Sequence, residues 1–554
     1  MEKAIEDNYK EWLEKVTVEE LLKQLKKMDE SEIEDSFYRD LTFGTGGLRG
    51  IIGAGTNRMN LYTVAKASQG LSDYIVKEYK EPFVVIGYDS RNMSLQFANE
   101  AAMVFVANGI KVWMWSALTP VPTVSYAIRY LHASQGIMIT ASHNPAEYNG
   151  YKVYGDDGCQ ITTEAASAIY KEIEKLDIFT DIKKIPMEKA EKEHKIGYIP
   201  SEVMDSYIGE VKKQSVLFGD KINRDVAIVY SPLNGTGLVP VSRVLKEAGF
   251  TNITIVEEQK NPDGNFPTCS YPNPEVREAM ELGLEYCKKI GADLLLATDP
   301  DADRCGIAVR DGDEYKLLTG NEVGLLLLDY VCAQRVKHNM MPNNPVFIKT
   351  IVTSDLAEKI AEHYGVHTIN VLTGFKFIGE QIGYLEKEGR KEDYICGFEE
   401  SYGYLTGSYV RDKDAVNAAF MICEMFAYYK IREITLIDKL NELYRIHGYC
   451  LNTLHSYDYP GVEGNKQLLI KMKAFRERQT VIGGKKILYT EDYLSGVNGL
   501  PRTDVIKFYI ENGTVVIRPS GTEPKLKVYI CLFAKSKDET TQIEERIVSD
   551  IREM

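Results

Sequence analysis

The sequence predicts an α/β protein: three related α/β units with mixed, mostly parallel sheets, followed by a C-terminal α+β segment. Three observations predict it. A helix-like run ending in glycine, followed by a short strand, recurs three times. The runs end at Ala107-Asn108-Gly109, Glu247-Ala248-Gly249 and His363-Tyr364-Gly365, and the strands are residues 110–114, 252–256 and 367–371. Glycine there can take the left-handed conformation that closes a helix. Each unit then has a later apolar strand running into a polar motif, at Ser142, Asp299 and Glu399. Short strands alternating with helices favour α/β layers with parallel pairing. Beyond the third unit, Asn512-Gly513 joins the apolar runs 505–510 and 514–517, a strong hairpin signal. A strand over 526–533 and a final charged helix complete an antiparallel arrangement.

Before the first unit, residues 1 to about 40 are highly charged, with Leu13, Val16, Leu21, Leu22 and Leu25 at helical spacing. They read as a helical cap without chemistry of its own. A chain of 554 residues suggests about four domains at ~150 residues each. The expected boundaries give domains 1–205, 206–320, 321–450 and 451–554.

A net charge of −15 argues against nucleic acid or an anionic membrane surface as partner. An acidic chain that binds anions must concentrate its cations locally, which draws attention to each Arg or Lys inside a Gly-rich motif. The nine cysteines form no C-x-x-C pair and read as reduced, mostly buried thiols of a cytoplasmic protein. The charged start, Met1-Glu2-Lys3-Ala4-Ile5-Glu6-Asp7, does not suit a signal peptide. The most apolar stretch, 323–331, is interrupted by Asp329 and too short to span a bilayer. A soluble protein is expected.

The first polar motif is Thr140-Ala141-Ser142-His143-Asn144-Pro145, after the apolar strand 136–139. Ser142 therefore falls at a strand's carboxyl end, where open α/β sheets place ligands. His143 and Asn144 can donate to an oxyanion there, and Pro145 stops an immediate helix. Taken alone, the hexapeptide could be a polar loop. The second motif, Asp299-Pro300-Asp301-Ala302-Asp303-Arg304, follows the apolar run 294–297. Its alternating carboxylates can converge on one hard cation, and oxygen ligands suit Mg²⁺ or Ca²⁺. An EF-hand fails on spacing: the sixth position is Arg304 instead of Gly, and the twelfth is Arg310 instead of Glu. Mg²⁺ prefers few carboxylates and leaves room for phosphate oxygens.

With three further segments, these motifs resemble the α-D-phosphohexomutase family of phosphoglucomutases and phosphomannomutases. The segments are Phe43-Gly44-Thr45-Gly46-Gly47-Leu48-Arg49, Gly397-Phe398-Glu399-Glu400-Ser401-Tyr402-Gly403 and Arg518-Pro519-Ser520-Gly521-Thr522, in the family's order. Together with Thr373-Gly374-Phe375-Lys376, they look most like the branch of bacterial phosphoglucomutases and animal phosphopentomutase-type enzymes. The resemblance implies three α/β domains and a smaller fourth closing over a central cleft. It also implies that Ser142 carries the phosphate that is transferred, and that Asp299, Asp301 and Asp303, with an oxygen on Ser142, hold Mg²⁺. Lys152 matches the family's general acid or base, a role that requires a lowered pKa. Arg49, His143, Arg304 and Lys413 are expected at phosphate. Glu399 and Ser401 would hold sugar hydroxyls, with Phe398 leaving open which of Glu399 and Glu400 faces the sugar. Thr373 and Gly374 would help set sugar preference. Arg518, Ser520, Gly521 and Thr522 form a turn suited to the phosphate that is not transferred.

The implied activity is interconversion of glucose 1-phosphate and glucose 6-phosphate through a bisphosphorylated intermediate, with glucose 1,6-bisphosphate as activator. A phosphopentomutase acting on ribose or deoxyribose phosphates, a sugar 1,6-bisphosphate synthase and a phosphosugar-binding regulator are the alternatives. Small-molecule sugar phosphates are the expected partners; no nucleic acid, membrane or obligate protein partner is implied.

Overall fold

The computed structural model describes residues 2–44, 46–459, 461–478, 480–520 and 525–553, and only the backbone of 461–463 and 465. Gly521 and Thr522 of the last motif lie outside the described residues.

The three repeats share one topology. The first sheet contains β1 (Leu48–Ile51), β2 (Phe83–Tyr88), β3 (Lys111–Met114), β4 (Gln135–Ile139), β5 (Tyr148–Tyr154) and β6 (Ile196–Tyr198), in the order β1-β5-β4-β2-β3-β6. The second contains β7 (Ile228–Ser231), β8 (Ile253–Ile255), β9 (Leu294–Thr298), β10 (Cys305–Asp311) and β11 (Glu314–Leu318), in the order β11-β10-β9-β7-β8. The third contains β12 (Val346–Thr350), β13 (His367–Val371), β14 (Tyr394–Phe398) and β15 (Tyr404–Thr406), in the order β13-β12-β14-β15. Each unit runs strand, helix, strand, helix, strand, with those three strands parallel. It then folds back as an antiparallel hairpin strand: β5 on β4, β10 on β9, β15 on β14.

Each polar motif is the loop of that hairpin, and each loop holds one non-glycine residue in the left-handed region. These are Ser142 at φ 55°, Ala302 at 50° and Tyr402 at 65°. The capping glycines expected from the sequence do take positive φ: Gly109 at 82°, Gly249 at 93° and Gly365 at 70°.

Central strands β4, β9, β12 and β14 are wholly buried, in keeping with helices covering both faces of a parallel sheet. One continuous apolar core runs from Val85 and Val124 in the first unit, through Tyr230 and Leu296, to Phe347 and Phe420 in the third. The helix Ala415–Lys430 sits within this core and is apolar nearly all round, as a helix without a solvent face must be. Backbone bonds stitch the acidic loop to both neighbouring units: Val121 N–H donates to Asp301 O at 2.9 Å, Cys305 N–H to Tyr402 O at 3.0 Å, and Ala415 N–H to Ala302 O at 3.1 Å.

The expected N-terminal cap is three helices, Lys3–Lys15, Glu19–Leu25 and Glu30–Phe37. Trp12 is buried between Phe37 and Phe179, at ring distances of 5.7 and 5.6 Å. The last sheet comprises β16 (Tyr449–Asp458), β17 (Val481–Ile482), β18 (Lys485–Asp492), β19 (Ile506–Ile510), β20 (Gly513–Pro519) and β21 (Lys525–Ala534). It is antiparallel throughout, in the order β16-β21-β20-β19-β18-β17. The helices Gly461–Glu477 and Lys537–Glu553 cover one face. On the other, Val516 and Tyr529 pack against Ile351, Val352 and Leu372 of the third unit. Among the described residues, no helix is long and apolar enough to cross a membrane.

Gly47 shows how tightly the first Gly-rich segment is seated. Its φ is 78°, and an added Cβ would lie 1.8 Å from the Tyr151 carbonyl oxygen on β5. Gly47→Ala is expected to lose at least about 1–2 kcal/mol of stability from the left-handed backbone alone, with the clash adding to it. Urea unfolding checks this; an unchanged midpoint would mean that the segment does not pack on β5.

Candidate active site

Ser142 is 3% exposed, in a loop held from three directions. Thr140 N–H continues the β4–β5 ladder to Gly150 O at 3.1 Å. The Thr140 hydroxyl accepts from Ser142 N–H at 2.8 Å and donates to Asp301 Oδ2 at 3.1 Å, linking the serine and acidic loops directly. Behind the loop, the buried Arg91 guanidinium donates to Ser142 O at 2.6 Å, Pro145 O at 2.8 Å, Tyr148 O at 3.1 Å and Asn144 O. The Ser142 hydroxyl donates to Asp299 Oδ2 at 3.0 Å and lies 3.2 Å from His143 Nδ1.

The acidic loop is built around Asp299. Its Oδ1 accepts from Asp303 N–H at 3.1 Å and Arg304 N–H at 2.9 Å, which curls the chain and brings three carboxylates together. Asp299, Asp301 and Asp303 each offer an oxygen within 4.8 Å of the others, and all three are buried. Asp301 Oδ1 and Asp303 Oδ1 are buried without a hydrogen-bond partner, the state expected of oxygens set aside for a cation. Three hard oxygen donors of this kind fit Mg²⁺.

Cations from two other units face the triad. Lys152 on β5 lies 2.9 Å from Asp301 Oδ2 and 3.4 Å from Asp303 Oδ2. Lys413, just before the helix Ala415–Lys430, lies 2.8 Å from Asp303 Oδ2. Burial, with the charges of Asp303 and Asp301, pushes the Asp299 carboxyl well above its usual range. Burial also acts against ionised Asp303, but Lys413 and Lys152 reverse it and hold that carboxyl low. Burial favours neutral Lys152, yet Asp301 and Asp303 outweigh it and raise its pKa. The lowered pKa that a lysine base requires is therefore absent in this arrangement, because its nearest neighbours are carboxylates instead of cations.

Around this centre, Arg304 pairs with Glu275 and lies 3.8 Å from Asp303 Oδ1. Arg49 donates to Asn144 Oδ1 at 3.2 Å and so joins the serine loop. Burial, with the charges of Arg304 and Arg49, holds His143 well below its usual pKa, so its ring is neutral near pH 7. Burial raises Glu399 to about 7, with Lys413 opposing and Glu400 reinforcing the shift. The Glu400 carboxylate instead accepts from Thr350 and Thr353 hydroxyls, both at 3.4 Å. Ser401 is half-buried beside them. Thr373 Oγ1 is buried without a partner, and Gly374, at φ 119°, precedes the helix Phe375–Lys387.

The structure thus gathers Ser142, His143, Lys152, Arg49, Asp299, Asp301, Asp303, Arg304 and Lys413 into one bonded group, with Glu399 in its field. Thr373 and Gly374 stand on a separate loop of the third unit. On the C-terminal domain, half-buried Arg518 donates to Pro519 O at 3.4 Å, and Ser520 N–H closes its loop on Lys525 O at 2.8 Å. Arg518 lies close enough to Glu400 for its charge to favour that carboxylate, against the larger effect of burial. Sequence reasoning missed Arg91, Thr140 as a bridge, and Glu275. A polar cluster at the end of β2, beside the end of β4, was the one available signal for Arg91.

Domain models described as phosphoglucomutase/phosphomannomutase match four segments. Alpha/beta/alpha domains I, II and III match residues 40–178, 205–312 and 319–445, and the C-terminal domain matches 463–549. The chain is 36% identical over 524 residues to a phosphoglucomutase of Staphylococcus epidermidis, covering 92% of this chain and 94% of the relative. It is 37% identical over 545 residues to a phosphoglucomutase of Staphylococcus saprophyticus, covering 96% and 97%. In fold it is similar to parafusin, a phosphoglucomutase of Paramecium solved in an open form, with a TM-score of 0.70, 18% identity and 93% and 95% coverage. The chain therefore belongs to the phosphoglucomutase/phosphomannomutase family and is a phosphohexomutase, an isomerase.

Two outcomes are expected at this site. Asp301→Asn should weaken Mg²⁺ binding by more than the about 10–100-fold typical of losing an outer partner of a metal ligand. Calorimetric titration with Mg²⁺ measures it, and an unchanged affinity would remove Asp301 from the ligand set. Glu399 has a folded pKa raised above its unfolded value, so its contribution to stability is fully present below about pH 4.5 and lost as pH rises through about 7. Glu399→Gln cannot ionise. It should therefore gain on the order of 1–3 kcal/mol relative to the parent between those limits. Urea unfolding at the two pH values checks it; a constant difference would place the titration elsewhere.

Proposed function

We propose, with family membership as the premise, that this phosphohexomutase interconverts glucose 1-phosphate and glucose 6-phosphate in the cytoplasm. Phosphorylated Ser142 and a glucose 1,6-bisphosphate intermediate carry the reaction, and the free bisphosphate acts as activator. The observation that carries this reading is the Ser142 hydroxyl, 3.0 Å from Asp299 Oδ2 at the edge of a buried carboxylate triad. Relatives named phosphoglucomutase, 36% and 37% identical over nearly the whole chain, support glucose phosphates as the substrate.

Asp299, Asp301, Asp303 and an oxygen on Ser142 would hold Mg²⁺, which when bound supplies Lewis-acid stabilisation of charge on the transferring phosphoryl group. In the forward direction the bond between Ser142 Oγ and phosphorus breaks and a bond from phosphorus to the sugar hydroxyl oxygen forms. The hydroxyl releases its proton and Ser142 Oγ ends protonated; after turning over, the bisphosphate returns its other phosphate to Ser142 Oγ, which loses that proton while the sugar oxygen released gains one. Phosphoryl transfer asks chiefly for positioning and neutralisation. Arg49, Arg304 and Lys413 supply positive charge near Ser142. Neutral His143 donates or accepts a hydrogen bond beside it. Lys152 begins protonated; it can accept the hydroxyl proton only as Asp301 and Asp303 cease to hold it charged. Glu399 and Ser401 bind sugar hydroxyls, Thr373 and Gly374 border the sugar, and Arg518, Ser520, Gly521 and Thr522 hold the phosphate at rest.

A substrate panel with Mg²⁺ and a trace of glucose 1,6-bisphosphate tests the reading. Fast turnover of glucose 1-phosphate is expected, whereas preference for ribose 1-phosphate or net accumulation of bisphosphate would replace it. Ser142→Ala should lower kcat by about 10⁴-fold or more while leaving glucose 6-phosphate binding largely intact. Turnover near the parent level in that variant would exclude a phosphoserine route.

A further inference from the structure

We propose that Arg91 is a positioning residue for phosphoryl transfer, and that Phe266 of the second unit clamps it from across the domain boundary. This role presupposes Ser142 as the group that carries phosphate.

Ser142 comes from the first unit and the three aspartates from the second. Their relative position must hold to a fraction of an ångström, since a misplacement of about 1 Å can cost ~10²-fold in rate. Ser142 also sits at φ 55°, a conformation that costs a non-glycine residue roughly 1–2 kcal/mol. One side chain bears on both problems. The Arg91 guanidinium donates to the carbonyls of Ser142, Asn144, Pro145 and Tyr148, four points along the loop. Because the peptide is planar and trans, fixing Ser142 C=O toward Arg91 turns the His143 N–H to the opposite side.

Arg91 is itself held. Asp89 Oδ1 accepts from Arg91 N–H at 2.9 Å and from Ser94 Oγ at 2.6 Å, and Asp89 Oδ2 lies 3.5 Å from Arg91 Nε. Asp89 N–H donates to Ile139 O at 3.1 Å, which ties the end of β2 to the end of β4. From the second unit, the Phe266 ring covers the guanidinium at 4.9 Å. Next to it, Asn92 Nδ2 donates to Asn265 Oδ1 at 2.9 Å. Gly264 approaches so closely that an added Cβ would lie 2.4 Å from Asn92 N. The loop that carries the serine is therefore braced on the unit that carries the metal ligands.

Arg91→Lys keeps the charge but cannot span four carbonyls with one planar fork. It should lower kcat for glucose 1-phosphate by about 10²-fold, with KM close to the parent value. The rate of Ser142 phosphorylation by glucose 1,6-bisphosphate, followed by intact mass, should fall with kcat. Mg²⁺ affinity and glucose 6-phosphate binding should stay as in the parent, a separation that general loss of structure would not produce. Phe266→Leu should lower the same step by a smaller factor, and it carries the test if Arg91→Lys fails to fold. Parent kcat in both variants would overturn the proposal. So would kcat, Mg²⁺ affinity and glucose 6-phosphate binding falling together. If the parent enzyme turns over no sugar phosphate, the phosphoserine reading fails and this inference with it; if it does and Arg91 is indifferent, only the inference fails.

Discussion

Three carboxylates buried within 4.8 Å of one another repel, and much of the structure is arranged to keep them together. At an effective dielectric constant of about 20, like charges at that distance oppose each other by roughly 3–4 kcal/mol per pair. The second unit supplies all three aspartates and cannot balance them from its own loop beyond Arg304. Lys152 therefore comes from the first unit and Lys413 from the third. Lys413 N–H is in turn fixed by Asp412, whose Oδ2 accepts from Tyr154 and Gln160 of the first unit, both at 2.9 Å. The charge balance of one loop thus depends on how three units are packed.

That dependence makes one charged centre out of a tandem repeat. The three hairpin loops share a position in their sheets and a left-handed residue, but they carry different groups: a hydroxyl, a carboxylate triad, and a glutamate pair. None of them is useful alone. The backbone bonds from Val121, Cys305 and Ala415 to neighbouring loops hold them in mutual register. The C-terminal domain joins the third unit differently. There Asp355 accepts from Thr514 Oγ1 at 2.6 Å and pairs with Lys507 at 3.4 Å and buried Lys349 at 3.2 Å, beside the patch formed by Val516 and Tyr529. A smaller interface with a polar component resists relative movement less than a continuous apolar core.

The fold was legible where the signal is local. Glycine after a helical run, an apolar strand before a polar motif, and Asn512-Gly513 between two strands each express the preferences of a few adjacent residues. The structure bears them out at Gly109, Gly249, Gly365 and the β19–β20 hairpin. The antiparallel return strands β5, β10 and β15 were not read, because their pairing is settled by the tertiary sheet. The site divides the same way. Ser142 and the aspartates lie in short motifs at strand ends, whereas Arg91 lies 51 residues before Ser142 and gains its meaning only from carbonyls that the fold turns toward it. The charged surroundings of Lys152 also come from the fold. Its sequence neighbours, Tyr151 and Val153, carry no charge, and its actual neighbours are 149 and 151 residues away.

The hydroxyl of Thr140 shows how closely conformation and charge are joined here. By accepting from Ser142 N–H it helps hold the serine in a left-handed turn, and by donating to Asp301 it bonds to an aspartate whose other oxygen is left without a partner. A hydroxyl can do both at once because it has a donor and acceptor lone pairs, whereas a carboxylate only accepts and an ammonium only donates. The serine's backbone geometry and the aspartate's hydrogen bonding are therefore two ends of one short chain of contacts. A shift of the acidic loop that broke the Thr140–Asp301 bond would also loosen the turn that presents Ser142. On its other side the serine loop is held by the four carbonyl contacts of Arg91. Coupling of this kind follows from building a reactive centre at the seam between units, where no single unit can fix the distances that the chemistry requires.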